Sequence, residues 1–352
     1  MSRNPVQCII PPYITERLAQ SADPKIRARA VANLSRAAAF RAVRRLSQDM
    51  PALMVTMAPE KRKNRLVFDS GKTDHLPGKL ARVEGQKKTS DPAVNEAYDG
   101  AGATYDFYDQ VFQRNSLDDR GMNLVSSVHV AEPDYGGSYV AMDNAFWNGE
   151  QMAYGDGDEV LFHRFTLSLD VIAHELTHGV SSFTSNLTYS GQSGALNEHF
   201  SDVFGVLVRQ WKKGESAEKA DWTIGREVLV PAKTRRAIRD MENPGTAFTN
   251  DPDLGTDPQP AHFSKLYMGI SDDGGVHINS GIPNRAFVLT AKALGGNSWD
   301  VAGRIWYKTL LQLSSSNQFH DCAAMTVQVA TGLGAAAKKA VRAAWKSVGV
   351  AV

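Results

Sequence analysis

Leu169-Asp170-Val171-Ile172-Ala173-His174-Glu175-Leu176-Thr177-His178-Gly179-Val180 is the stretch from which the rest of the chain is read. Leu169, Ile172, Ala173, Leu176 and Val180 are apolar at helical spacing. On that helix His174 and His178 share a face, about 5–6 Å apart at Cβ, close enough for both imidazoles to reach one zinc ion at roughly 2.0–2.1 Å. Glu175 is rotated by about 100° from His174, which sets it beside the metal, where a base for the attacking water belongs.

A catalytic zinc takes three protein ligands and keeps a fourth position open. The next helical stretch, Gly194-Ala195-Leu196-Asn197-Glu198-His199-Phe200-Ser201-Asp202, offers the third. Glu198 and Asp202 lie four apart and share a face. Glu198 is the candidate ligand. Asp202 is placed to accept the second ring N–H of a ligating histidine and so fix its tautomer, and Asn197 is grouped with it as a support for the ligands. A solvated helix edge would also place two carboxylates four apart. It accounts poorly for four groups, His174, His178, Glu198 and Asp202, at matched helical spacing.

The 352 residues suggest about two domains, long enough to bury about three quarters of the unfolded surface without staples. With 42% hydrophobic and 22% charged residues the composition is that of a globular chain. Cys8 and Cys322 cannot make a disulfide framework. A net charge of +1 gives no pull towards nucleic acid or an anionic membrane, and no apolar run reaches the length of a membrane span. No nucleic-acid or membrane partner is expected, and a monomer is the expected state. Met1 to Leu18, MSRNPVQCIIPPYITERL, lacks the layout of a secretory signal because Pro11 and Pro12 break its apolar run. Leaderless export and a cytoplasmic role both fit.

Charge is unevenly placed. Residues 1–50 hold nine basic and three acidic side chains, net +6, which leaves −5 for the other 302 residues. Asp23-Pro24 reads as a helix start, and Ile26, Ala30, Leu34, Ala38 and Val43 follow near helical spacing. A transit peptide, a nucleic-acid arm and an ordinary surface helix remain open. Charge complementarity favours a removable segment that docks on the body. Residues 51–64 read as a linker. Beyond it come short β pieces over 65–82, a helix over 92–115, a strand over 124–130, and further strand from Tyr139 to Tyr154 with a turn at Asn148-Gly149. Helices follow over 169–184, 194–213, 280–294, 298–313, 318–331 and 335–347. The expected architecture is α+β: a β-rich half (51–168), a helical half (169–352) and a cleft between them.

These residues resemble the thermolysin-like zinc metalloproteases. The resemblance runs from about Tyr98 to the C-terminus, through Asp143-Asn144-Ala145-Phe146-Trp147-Asn148-Gly149, Met152-Ala153-Tyr154-Gly155-Asp156-Gly157, the His174–His178 helix, the Glu198 segment and Gly274-Gly275-Val276-His277-Ile278-Asn279-Ser280-Gly281. It implies the two-domain fold of that family, one zinc held by His174, His178 and Glu198, and Glu175 as catalytic acid and base. It also implies that Tyr189 and His277 stabilise the tetrahedral intermediate, with Asp272 orienting His277. Asn144, Ala145 and Arg239 fall where the family holds the peptide backbone. Phe162, Phe165, Val171, Ile224, Val228 and Ile238 fall around the residue after the scissile bond, which implies a preference for a bulky hydrophobic side chain there. The activity implied is that of a neutral endopeptidase, with peptide or protein substrates. An inactive zinc-binding protein and a non-peptidase metallohydrolase are the competing readings.

Ile9-Ile10-Pro11-Pro12-Tyr13-Ile14 resembles the PPY motif of protealysin-like precursors. It implies that residues 1–50 are an inhibitory propeptide, removed near Gln48 to Leu53. Cys8 would then either cap the zinc as a thiolate or be a buried apolar cysteine. The family's double calcium site is expected to be absent. Asp170, Asp202 and Asp221 are kept, but three other carboxylate positions read Arg209, Thr223 and Arg226, so Arg–Asp pairs are expected in its place; calcium in other loops stays open. His199 is turned away from the site, and His75, His129, His163, His262 and His320 have no matched ligand partner. The acidic Tyr154–Asp158 stretch lacks EF-hand spacing and reads as a turn. Members of the family are mostly secreted.

Overall fold

The computed structural model describes residues 7–34, 61–134 and 136–352. Residues 51–60 of the expected linker, the expected cleavage region at Gln48–Leu53, and Ala38 and Val43 of the expected N-terminal helix lie outside the described residues.

The N-terminal half is a mixed seven-stranded sheet. In chain order its strands are β1 (Gln7–Cys8), β2 (Arg65–Asp69), β3 (Lys79–Val83), β4 (Leu124–Pro133), β5 (Tyr139–Ala141), β6 (Ala145–Trp147) and β7 (Met152–Gly155). Their spatial order is β1-β6-β7-β4-β2-β3, with β5 beside β4. β4 runs parallel to β2 and β7, and β6 runs antiparallel to both β7 and β1. The N-terminal segment thus supplies the strand that covers the β6 edge. It continues into α1 (Pro12–Leu18), with Pro12 at the first helical position where its missing N–H costs nothing, and into α2 (24–34), whose start Asp23 caps by accepting from the Lys25 N–H at 2.8 Å.

Helix α3 (Pro92–Phe112) is capped by Asp91, whose carboxylate accepts from the N–H groups of Ala93 and Val94. It carries the buried face of the N-terminal half towards α4 (Leu169–Ser182). The Tyr108 hydroxyl meets Thr177 Oγ1 at 2.9 Å and ties the two helices together. α5 (Gly191–Lys213) lies against α4. At Gly205 a Cβ would stand 2.7 Å from the Asp170 carbonyl oxygen, so only glycine allows this crossing. The remaining helices are α6 (Ser271–Asn279), α7 (Gly281–Leu294), α8 (Val301–Leu310), α9 (Phe319–Thr331) and α10 (Ala335–Ser347). They close a core in which Trp306 stacks on Trp345. A β-sheet half and a helical half follow one another along the chain, as an α+β fold requires. No helix among the described residues is long and apolar enough to cross a membrane.

α6 was not foreseen. Asp272, Asp273, Gly274 and Gly275 all have positive φ, from +49° to +85°, so no 3.6-residue pattern announces it. The helix expected over 298–313 is shorter, Val301–Leu310.

Candidate active site

α4 and α5 bring three side chains to one point. His174 Nε2 and His178 Nε2 are 3.1 Å apart, and Glu198 lies 3.5 Å from the first and 3.4 Å from the second. All three are fully buried. Their potential ligand atoms lie within 4.8 Å of one another, the only such His/Cys/Asp/Glu group among the described residues. The sulfur of Cys8 is not part of it, so a thiolate cap finds no support there.

Each imidazole is fixed from behind. His178 Nδ1 donates to Asn197 Oδ1 at 2.9 Å and lies 2.9 Å from Ser201 Oγ, and His174 Nδ1 lies 2.9 Å from Asp202 Oδ1. Both Nε2 atoms therefore face inward. Burial pushes His178 down to about 3, so its Nε2 carries a lone pair. Burial alone would raise Glu198, yet His277 and His178 hold its carboxyl well below the ordinary range. Glu198 Oε2 is buried and has no hydrogen-bond donor. Two nitrogens held at 3.1 Å beside a buried carboxylate with an unused oxygen form a donor set that fits a shared zinc ion.

Glu175 stands one step round α4. Its Oε2 accepts from the Trp147 N–H of β6 at 3.1 Å, while Oε1 is buried without a partner. Burial, then the nearby Glu198, raises its carboxyl well above the ordinary value. On the opposite side the Tyr189 hydroxyl donates to Glu198 Oε1 and lies 3.2 Å from His277 Nε2. His277 Nδ1 is 2.6 Å from Asp272 Oδ1, and the left-handed turn of α6 lets the other Asp272 oxygen accept from the His277 N–H at 2.8 Å. Burial opposes charge on His277, but Glu198 and Asp272 raise it to about 9. Gln259, which no sequence pattern signals, donates to the His277 carbonyl at 2.7 Å.

Asn144, Ala145 and Arg239, expected to face a substrate backbone, hydrogen-bond Ile9 and Ile10 of this same chain. Ala145 O accepts from the Ile9 N–H at 3.2 Å. Arg239 Nη1 donates to Ile9 O at 3.0 Å, and Asn144 Oδ1 accepts from the Ile10 N–H at 3.2 Å. Arg239 has a second task, a buried fork onto Asp202 that keeps the Asp202 carboxyl well below its usual range despite burial. Phe162, Phe165, Val171, Ile224, Val228 and Ile238 are all fully buried within the main apolar core of the chain, of which Ile9 is also a part. The Phe162 and Phe165 rings are 5.8 Å apart, and the Ile238 N–H donates to Ile224 O. In the expected propeptide motif, Pro11 precedes α1, Pro12 opens it, and Tyr13 is partly buried.

Arg209 pairs with buried Asp170, and Arg226 lies 3.2 Å from Asp221. The third retained aspartate, Asp202, takes Arg239 instead. His199 is structural: it contacts Asn284 Oδ1 at 2.8 Å and accepts from the Trp306 indole N–H at 2.7 Å. His129, for which the sequence supplied no partner, stands between Asp91 and Asp156 at 2.8 Å from each, a contact made by chain folding across 27 and 38 residues.

Family models described as "Thermolysin metallopeptidase, catalytic domain" and "Thermolysin metallopeptidase, alpha-helical domain" match residues 57–182 and 185–350. An "Extracellular metalloprotease" of Pectobacterium carotovorum subsp. carotovorum is 44% identical over all of this chain and 99% of its own length. "Protease PrtS" of Photorhabdus sp. (strain Az29) is 47% identical over 82% of this chain and 77% of its own. Among solved structures, the "Precursor of Protealysin, Metalloproteinase from Serratia proteamaculans" superposes with a TM-score of 0.86 at 42% identity, covering 98% of this chain and 100% of that one.

Proposed function

We propose that this chain, which belongs to the thermolysin family of zinc metallopeptidases and is a metalloendopeptidase, is made as a precursor blocked by its own residues 1–50 and prefers a bulky hydrophobic residue after the bond it cuts. The observation that carries the reading is the placement of Cys8 to Ile10. They lie along β6 with Cys8 O 3.0 Å from His277 Nε2, where a substrate would have to lie.

Zinc, held by His174, His178 and Glu198, would supply the Lewis acid that lowers the pKa of a water and polarises the carbonyl. Glu175 takes the proton of that water and returns it to the leaving amine. Tyr189 and His277 donate to the developing oxyanion, the latter kept as donor by Asp272. Ala145, Asn144 and Arg239 hold the backbone in an extended form. The apolar cluster around Phe162, Phe165, Val171, Ile224, Val228 and Ile238 receives the side chain after the scissile bond. The double calcium site is replaced by the Arg209–Asp170 and Arg226–Asp221 pairs. The name of the Pectobacterium relative supports a working place outside the cell.

Casein hydrolysis abolished by a chelator and restored by zinc tests the activity, and mass spectrometry tests removal of the segment near Gln48–Leu53. A zinc-loaded chain freed of residues 1–50 that leaves casein and hydrophobic peptides intact would return the protein to the inactive, zinc-binding reading. A peptide library cut before acidic residues or glycine would contradict the pocket assignment.

A further inference from the structure

We infer that the Cys8–Ile9 peptide bond is this protein's own substrate, hydrolysed within one molecule. This goes beyond blockage, and it rests on the protease reading. A segment can block a cleft in any register. Here the register puts one peptide unit at the reacting position and pins the backbone on its far side.

The carbonyl of that unit, Cys8 O, accepts from His277 Nε2 at 3.0 Å, the imidazole assigned to the oxyanion. The Tyr189 hydroxyl lies 3.2 Å from the same nitrogen. The nitrogen of the unit, Ile9 N, donates to Ala145 O at 3.2 Å. The next carbonyl, Ile9 O, takes the Arg239 guanidinium at 3.0 Å, and the next N–H, Ile10, reaches Asn144 Oδ1 at 3.2 Å. Upstream, Gln7 and Cys8 pair antiparallel with Trp147 and Phe146, and the Trp147 N–H itself donates to Glu175. The Ile9 side chain is fully buried, in the same continuous apolar core as the six expected pocket residues. Pro11 and Pro12 then end the extended run, because neither has an N–H to offer a sheet edge. One bond of the segment is therefore presented with its carbonyl, its nitrogen and its downstream backbone all held.

The reaction consumes one water. Its oxygen bonds to the Cys8 carbonyl carbon while Glu175 takes its proton. The carbon–nitrogen bond to Ile9 then breaks, the electron pair stays on nitrogen, Glu175 returns the first proton to it, and the second, left on the new Cys8 carboxyl, follows to give the Ile9 ammonium. The products are a short peptide ending in a Cys8 carboxylate and a chain beginning at Ile9. The cut severs β1 from α1 and leaves α1 docked, so removal of the segment has two stages, this bond before the region of Gln48–Leu53.

The test uses the full-length chain purified under a chelator. Zinc is restored and intact mass is followed against time. The expected result is loss of the peptide ending in Cys8, with a rate constant that does not change across a 30-fold range of protein concentration, about the span over which an intermolecular cut would speed up in proportion. Glu175→Gln, loaded with zinc, keeps the bond whole. Ile9→Asp slows the cut by at least about 30-fold, since a carboxylate enters an apolar pocket. A second readout needs no metal: in the chelated chain the Ile9 and Ile10 amides exchange slowly, and Asn144→Ala speeds Ile10. A wild-type chain that digests an added peptide, or trims its segment elsewhere, while Cys8–Ile9 stays intact overturns the inference and leaves the protease reading in place. A zinc-loaded chain that cuts nothing overturns both. A rate proportional to concentration, or fast exchange at Ile9 and Ile10 in the chelated chain, overturns the inference alone.

Discussion

Glu175 and Asn197 divide the work at the site in a way single substitutions can separate. Glu175 touches neither imidazole in a ligating role; its one oxygen is tied to the Trp147 N–H and the other is unpaired. Glu175→Gln keeps the volume and removes the base, so zinc content measured by atomic absorption is expected to be unchanged, with turnover of the segment-free enzyme falling by about 10²–10⁴. A metal-loaded variant that retains its turnover rejects the mechanism. Asn197 works through His178, whose Nδ1–H it accepts at 2.9 Å. Asn197→Ala frees that ring to tilt and is expected to weaken zinc by about 10–100-fold in a chelator competition; unchanged affinity would leave Ser201, at the same distance from Nδ1, as the support that matters. The sequence places Asn197 beside Glu198 but cannot tell which atom it faces, because that depends on how α4 crosses α5 at Gly205.

At the scale of elements, what was legible is what has a period. The helices α3, α4, α5, α7, α9 and α10 follow from apolar spacing, and with them the metal cluster, since its three members sit on two adjacent helices. β1 has only two residues and no alternation, and its pairing with β6 spans most of the first half of the chain. α6 winds through four left-handed residues. His129 is a further contact invisible in one dimension. It bridges the Asp91 cap of α3 to Asp156 in the turn after β7, and chiefly the hydrogen bond to Asp156, against burial, raises it to about 9. The folded value lies above the unfolded one of about 6.5, so the contribution is complete below about 6.5 and is lost as pH rises through about 9. Thermal stability of the wild type is expected to fall over that window, and His129→Asn to remove that part of the slope; parallel curves for the two proteins would take His129 out of the account. The Arg209–Asp170 pair joins α5 to the first turn of α4 and is buried on both sides. Arg209→Ala leaves a buried carboxylate uncompensated, at a cost of about 3–5 kcal/mol. With this pair in the site, neither calcium nor its chelation is expected to shift the wild-type melting temperature, and a calcium-dependent rise traced to Asp170 or Asp221 would overturn the replacement of that site.

For the whole molecule, the uneven charge along the sequence pointed to docking of residues 1–50, and in the described part of that segment, residues 7–34, the contacts belong to a different force. Ile9, Ile10, Ile14, Leu18 and Ala30 are buried against the body. The described ion pair between segment and body, Arg29 with Asp158 at 3.4 Å, has its arginine partly exposed. Each large apolar side chain contributes about 1.5–3 kcal/mol on burial, whereas a pair near the surface contributes about 0–1 kcal/mol and is screened by salt. Within residues 7–34 the apolar contacts win by several-fold, with the +6 against −5 imbalance left to speed the encounter. Hydrogen exchange separates the two. Amides from Ile9 to Leu18 in the chelated full-length chain are expected to keep their protection from low salt to 1 M sodium chloride, a concentration that cuts the Debye length to about 3 Å. Ile14→Ala, which leaves every charge in place, is expected to cost about 2–5 kcal/mol and to speed exchange of the whole segment by about 30-fold or more wherever it opens as a unit. Protection that collapses in salt while surviving Ile14→Ala would return the docking to electrostatics, and with it the reading that the sequence alone had favoured.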